Sequence, residues 1–173
     1  MEKLQQKLEA ELAFIYSQGY RGGDRSMQQR ETSMRIAIGR CWRESCRRLR
    51  LAAAAAGGSK DHVARMCLFS GHDSTLMPLM MSLLPEWGRL DAGQQPTFPN
   101  QRTDWPPFCA DLAIDLWVSE SSAEPFVRAL YCGEVVMHAE ADERGFCPLD
   151  HWERMLAPLT AADPDGDGKT PKL

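Results

Sequence analysis

An α/β fold is expected from three features of the chain: a long helical stretch over 26–56, a short apolar run over 63–69 that gives way to a helix, and two strand-forming segments followed by a closing helix. At 173 residues and 43% hydrophobic content, the chain is large enough to bury one sizeable core.

Residues 1–14 place Leu4, Leu8 and Leu12 among charges, a helical period on a largely solvated segment. A Gly22-Gly23 turn then separates this helix from the next. From 26 to 56 there is no proline and no glycine except Gly39, and Met34, Ile38, Trp42 and Leu49 approximate one apolar face. Ala52 to Ala56 extend the helix, and Gly57-Gly58-Ser59 stop it. Residues 63–69, Val-Ala-Arg-Met-Cys-Leu-Phe, read as a buried strand, and residues 75–84 as a helix. Pro106-Pro107 blocks helix before the next segment. Residues 113–118 and 126–132 read as neighbouring strands joined by a loop. The helix that closes the domain begins near Cys147, with Leu149, Trp152 and Leu156 at helical spacing.

Between the expected strand and helix stand Ser70-Gly71-His72-Asp73-Ser74-Thr75. In open α/β sheets ligands gather where strands end and helices begin, because loops converge there and the first helical N–H groups lack partners. A protonated imidazole makes a charge-assisted hydrogen bond to a phosphoryl oxygen, and the helix end adds to the attraction. An adjacent carboxyl can protonate the poor alkoxide leaving group of a phosphate monoester, which contributes roughly 10²–10⁴-fold. Bound phosphate would help keep Asp73 protonated, so such a site works best at acidic pH. Asp73 as a helix N-cap and His72 as a turn residue is the plainer alternative.

Three stretches together resemble the C-terminal part of histidine acid phosphatases, which form branch 2 of the histidine phosphatase superfamily. They are Ser70-Gly71-His72-Asp73-Ser74-Thr75-Leu76-Met77-Pro78-Leu79, Trp105-Pro106-Pro107-Phe108-Cys109-Ala110-Asp111-Leu112 and Cys147-Pro148-Leu149-Asp150. The likeness is greatest to the lysophosphatidic acid phosphatases. It implies a partial three-layer αβα histidine-phosphatase-like domain, with long N-terminal helices and then strand, helix, strand, strand and helix. Residues 1–160 are read as that partial domain and 161–173 as a flexible acidic, glycine-containing tail. It also implies hydrolysis of phosphomonoesters, lipid-like ones included, through a phosphohistidine. His72 would hold the equatorial oxygens and Asp73 would protonate the alcohol, with no metal or organic cofactor.

The family's nucleophile lies in an Arg-His-Gly-x-Arg motif, and this chain has none. Tyr20-Arg21-Gly22-Gly23-Asp24-Arg25 has the spacing with Gly22 in the histidine's place, but no strand precedes it, and a turn between helices explains it better. His62, His138 and His151 are expected at the surface or at element ends. The chain is therefore expected to be inactive alone, with exposed strand edges through which it could associate.

The rival reading is a binding module. Arg35, Arg40, Arg43, Arg47, Arg48 and Arg50 make 35–51 a basic helix of the kind that binds calmodulin or anionic membrane surfaces. A net charge of −4 argues against a nucleic-acid binder. Asp163, Asp165 and Asp167 with Gly168 resemble the start of a calcium loop, but the chain ends before the twelfth position, so no metal is assigned. Six cysteines form no zinc pattern. Cys67 and Cys109 are expected as small core residues, and Cys147 as a disulfide candidate without a deducible partner. The first residues carry no apolar signal core, and no run reaches the roughly 18 residues of a membrane span. Nothing in the sequence assigns a compartment.

Overall fold

The structure, a computed structural model, describes residues 27–58, 63–83, 106–119, 122–138 and 140–161, with side chains from Met34 onward. The helix expected over 1–14, the Gly22-Gly23 turn, His62, Trp105 and the acidic tail beyond residue 161 lie outside the described residues.

Helix α1 runs Met27–Ala56, a rod about 45 Å long at 1.5 Å per residue. Its inner face is the one expected: Met34, Ile38, Trp42 and Leu49 are all buried. Gly57 and Gly58 end it by donating to the carbonyls of Ala53 and Ala55 (both 3.1 Å). Helix α2, Asp73–Leu83, buries Met77, Met80, Met81 and Leu83. Helix α3, Leu149–Thr160, buries Leu149, Trp152, Leu156 and Leu159, which recur every three or four residues and face α1.

At Gly39 the backbones of α1 and α3 approach closely, since a Cβ there would lie 2.6 Å from the Leu159 carbonyl oxygen. Trp42 and Trp152 meet edge to face across this contact, with centroids 5.7 Å apart. At the rim Arg43 Nη1 donates to the carbonyls of Thr160 (3.4 Å) and Ala161 (3.1 Å), capping the C-terminus of α3.

Four strands form one antiparallel sheet: β1 Leu112–Val118, β2 Pro125–Tyr131, β3 Glu134–Val135 and β4 Phe146–Pro148. β2 is central, pairing with β1 from Leu112↔Tyr131 to Val118↔Pro125, and with β3 and β4 along its other edge. Period-two alternation sends Val127, Ala129 and Tyr131 into the core shared with the helices. The opposite face carries Arg128, whose guanidinium lies 5.4 Å from the Trp117 ring and 5.1 Å from the Phe146 ring and reaches Asp115 at 3.3 Å.

The β2–β3 hairpin turns on Cys132 (φ 49°) and Gly133 (φ 81°), both in the left-handed region that a two-residue type I′ turn requires. Gly145, at φ 82°, closes the turn before β4, where Asp142 Oδ1 accepts from the amides of Arg144 (2.9 Å) and Phe146 (2.8 Å).

One expected element is absent. Residues 63–72 form no strand and no helix, and Met66 and Leu68 are 73% and 83% exposed. The residue types suit a strand, but a strand exists only as a member of a pair. The described sheet is built wholly from residues 112–148 and does not reach this segment. The chain thus combines helices with a small antiparallel sheet, and α1 and α3 pack on one face of it.

Candidate active site

His72 and Asp73 stand together where the irregular segment enters α2, and both are exposed. The His72 carbonyl accepts from the amides of Thr75 (2.9 Å) and Leu76 (3.1 Å), so it opens the helix. Asp73 is therefore the first helical residue rather than the cap. Its Oδ1 accepts from the Ser74 amide at 2.7 Å. An imidazole and a carboxylate thus sit side by side at the positive end of a helix dipole and open to solvent, an arrangement that can receive a phosphoryl group.

The other end of α2 is fixed in the core. Trp42 Nε1 donates to Ser82 Oγ at 2.9 Å, and Ser82 Oγ donates to the Leu79 carbonyl at 2.7 Å. Trp42 is 1% exposed, so this bond is shielded from water and positions α2 against α1.

The arginines of 35–51 are largely engaged within the chain. Besides Arg43, Arg50 donates through Nε and Nη2 to Glu153 (2.8 and 2.6 Å) and also reaches Asp150, tying α1 to α3. This partner holds the Asp150 carboxyl below its usual range. Arg47 and Arg48 share Glu44, and their hydrogen bonds pull its pKa down to about 2. Trp42, Ile38 and Met34 of this helix are buried, while Ile36, 72% exposed, and Leu51 are the large apolar side chains it presents to solvent among the described residues.

Three other expectations meet the structure differently. His138 is buried, 4% exposed, because Trp152 of α3 covers it edge to face at 5.3 Å. Burial pushes its pKa down, and neither ring nitrogen has a hydrogen-bond partner among the described residues. No local pattern in Val136-Met137-His138 signals this, since the covering residue lies 14 positions away. Cys109 is not a core residue: it is exposed, at φ 61°, in the turn that follows Pro107. Cys67 is only half-buried, with Arg48 Nη1 at 3.0 Å from its sulfur.

His151 stands at the start of α3, its Nδ1 3.4 Å from Glu140, as expected of an element-end residue. All six cysteines are free thiols, and burial pushes those of Cys147 and Cys46 up to about 11. Among the described residues no helix is long and apolar enough to cross a membrane.

Comparison with known proteins bears on this site. Lysophosphatidic acid phosphatase type 6 of Pongo abelii is 32% identical over 100 residues, which cover 58% of this chain and 20% of that protein. The Bos taurus protein of the same name is 32% identical over 96 residues (56% and 19%), and that of Homo sapiens 31% over 100 (58% and 20%). The chain thus spans about a fifth of the length of the curated relatives it matches. No solved structure matches it significantly. A family model for the histidine phosphatase superfamily (branch 2) matches residues 10–132, and the chain belongs to that superfamily.

Proposed function

We propose that the chain supplies the His-Asp half of a phosphatase active site that cleaves phosphomonoesters, and that a nucleophile-bearing segment completes it. The observation that carries this reading is the exposed His72-Asp73 pair at the N-terminus of α2, in a chain of histidine-phosphatase ancestry.

In this mechanism a histidine of an Arg-His-Gly-x-Arg segment attacks phosphorus, while His72 holds the equatorial oxygens. Asp73 gives its proton to the alcohol oxygen as the P–O bond breaks. The ionised Asp73 then accepts a proton from the water that hydrolyses the phosphohistidine. The names of the relatives favour a lysophospholipid-like phosphomonoester as substrate. Residues 63–69, with Met66, Leu68 and Phe69 exposed, are where a strand of the completing segment would pair.

The test is hydrolysis of an aryl phosphate between pH 4 and 8. The 173-residue chain alone is expected to show no turnover. Fused behind the Arg-His-Gly-x-Arg part of a relative, it should turn over at acid pH and lose activity in His72→Ala and Asp73→Ala. Robust hydrolysis by the chain alone, abolished by His72→Ala, would overturn the claim that it needs completion. Equal activity of the fused protein with and without His72 would overturn the site.

A further inference from the structure

A cleft of about 270 Å³ opens between the C-terminal half of α1 and the irregular segment, lined by Arg47, Arg48, Leu51, Val63, Ala64 and Cys67. Two guanidinium groups meet one carboxylate there. Arg47 donates through Nε and Nη2 to Glu44 (both 2.8 Å), and Arg48 through Nε at 2.6 Å. Glu44, held at about 2, is charged at every ordinary pH, so the three side chains carry a net charge of +1. No acid is among the described residues that line the cleft.

The Arg48 guanidinium also lies over the Phe69 ring, 5.9 Å from its centroid, and its other polar contact is poorly matched. Its Nη1 faces Cys67 Sγ at 3.0 Å, and a thiol is a weak acceptor for a donor group that can grip an oxyanion through two parallel bonds. Beside these donors, Leu51, Val63 and Ala64 form an apolar wall. Small-molecule sites combine a few convergent polar groups with apolar walls and run from about 300 Å³ upward, so this cleft suits a small ligand rather than a whole lipid.

We propose that the cleft binds a short-chain alkyl phosphate, with the phosphate on the Arg47 and Arg48 N–H groups that do not bond Glu44 and the carbon chain against Leu51, Val63 and Ala64. A phosphate oxyanion supplies the strong acceptors that sulfur does not, and it answers the uncompensated charge. His72 lies five positions after Cys67, at most about 18 Å of chain. A phosphate ester bound here is therefore held close to the His72-Asp73 pair without occupying it. The proposal stands on the cleft and does not depend on the catalytic reading.

Cys67 lines the cleft and serves as its reporter. The whole chain is alkylated with N-ethylmaleimide, and each cysteine is followed by peptide mass spectrometry, with exposed Cys109 as the internal control. Millimolar hexyl phosphate is expected to slow alkylation of Cys67 at least fivefold and to leave Cys109 unchanged. Inorganic phosphate should protect less, since each buried methylene adds up to about fourfold in affinity, and hexanol should not protect.

The Arg47→Gln/Arg48→Gln double variant should lose the protection. Both side chains are about half exposed, so the fold tolerates the change. His72→Ala should keep the protection. Glu44→Gln removes the competing carboxylate and should lower the half-protecting concentration threefold or more. An unprotected Cys67, protection that survives the double variant, protection lost with His72, or no gain in Glu44→Gln would each overturn the proposal.

Discussion

Replacing His138 with leucine should flatten the pH dependence of stability on the acid side of neutrality. The imidazole is 4% exposed, packs edge-on to Trp152, and has no hydrogen-bond partner at either nitrogen among the described residues. Burial lowers its pKa. Glu140 pulls the other way, and it is engaged with His151 (3.4 Å). Because the folded pKa lies below the unfolded value near 6.5, the unfolded chain takes up a proton before the folded one does. The stability associated with neutral His138 is therefore full above 6.5 and declines as pH falls towards the folded pKa. The limiting slope for one proton, about 1.4 kcal/mol per pH unit, is the most this group can contribute over that range. His138→Leu removes that slope. At neutral pH two effects oppose each other: relief of two unpaired nitrogens, about 1–3 kcal/mol each, and loss of the Trp152 contact, about 0.5–1.5 kcal/mol. The informative quantity is thus the difference between the two proteins as pH changes. Urea unfolding at half-unit steps from pH 5 to 8 measures it, and the His151–Glu140 pair, common to both proteins, cancels. Parallel stability curves, differing by a constant within about 0.3 kcal/mol, would refute the reasoning.

Gly39→Ala should destabilise by about 1–3 kcal/mol in chemical unfolding, because its Cβ would meet the Leu159 carbonyl at 2.6 Å and force α1 and α3 apart. Cys132→Asn should stabilise by roughly 0.5–1 kcal/mol, read as a rise in melting temperature, since asparagine accepts the φ of 49° at the hairpin turn better than cysteine does. Arg50→Gln should cost no more than about 1 kcal/mol, and added salt should shrink the loss, because its partners Asp150 and Glu153 lie at the solvated edge of α1 and α3.

The two long amphipathic helices could be read from sequence because their information is local. Met34, Ile38, Trp42 and Leu49 recur on one face of α1, as do Leu149, Trp152 and Leu156 on α3, and burial follows from that period whatever the partner. The β1–β2 hairpin was readable for a similar reason, through dense β-branched and aromatic residues on either side of a polar loop. Residues 63–69 carry the same kind of residues and yet form no strand, because no described neighbour stands beside them. The positions of His138 and Cys109 escape the sequence for a related reason. The first is buried by a helix formed later in the chain, and the second is turned outward by a local positive φ. His72 and Asp73 stand at the helix start, as their sequence context implies. The Arg48–Cys67 contact joins residues 19 apart and needed the fold to be seen.

The environment of His72 bears on what could complete the site. Helix α2 is held at one end, through Ser82 and the buried methionines, while its other end follows ten residues with no regular pairing. Catalytic groups need placement within about 0.5 Å, and a helix end entered from unpaired chain is a poor support for that. A strand laid along 63–69 would cover Met66, Leu68 and Phe69 and steady the approach to His72. Burying three large apolar side chains stabilises by about 1.5–3 kcal/mol each, or roughly 5–9 kcal/mol in all. Association of two separate molecules costs about 4–15 kcal/mol, which consumes most or all of that gain. A strand tethered to the same chain meets the segment at millimolar effective concentration and avoids much of that cost. The exposed segment before His72 is therefore better suited to a covalently linked partner strand than to a freely diffusing one.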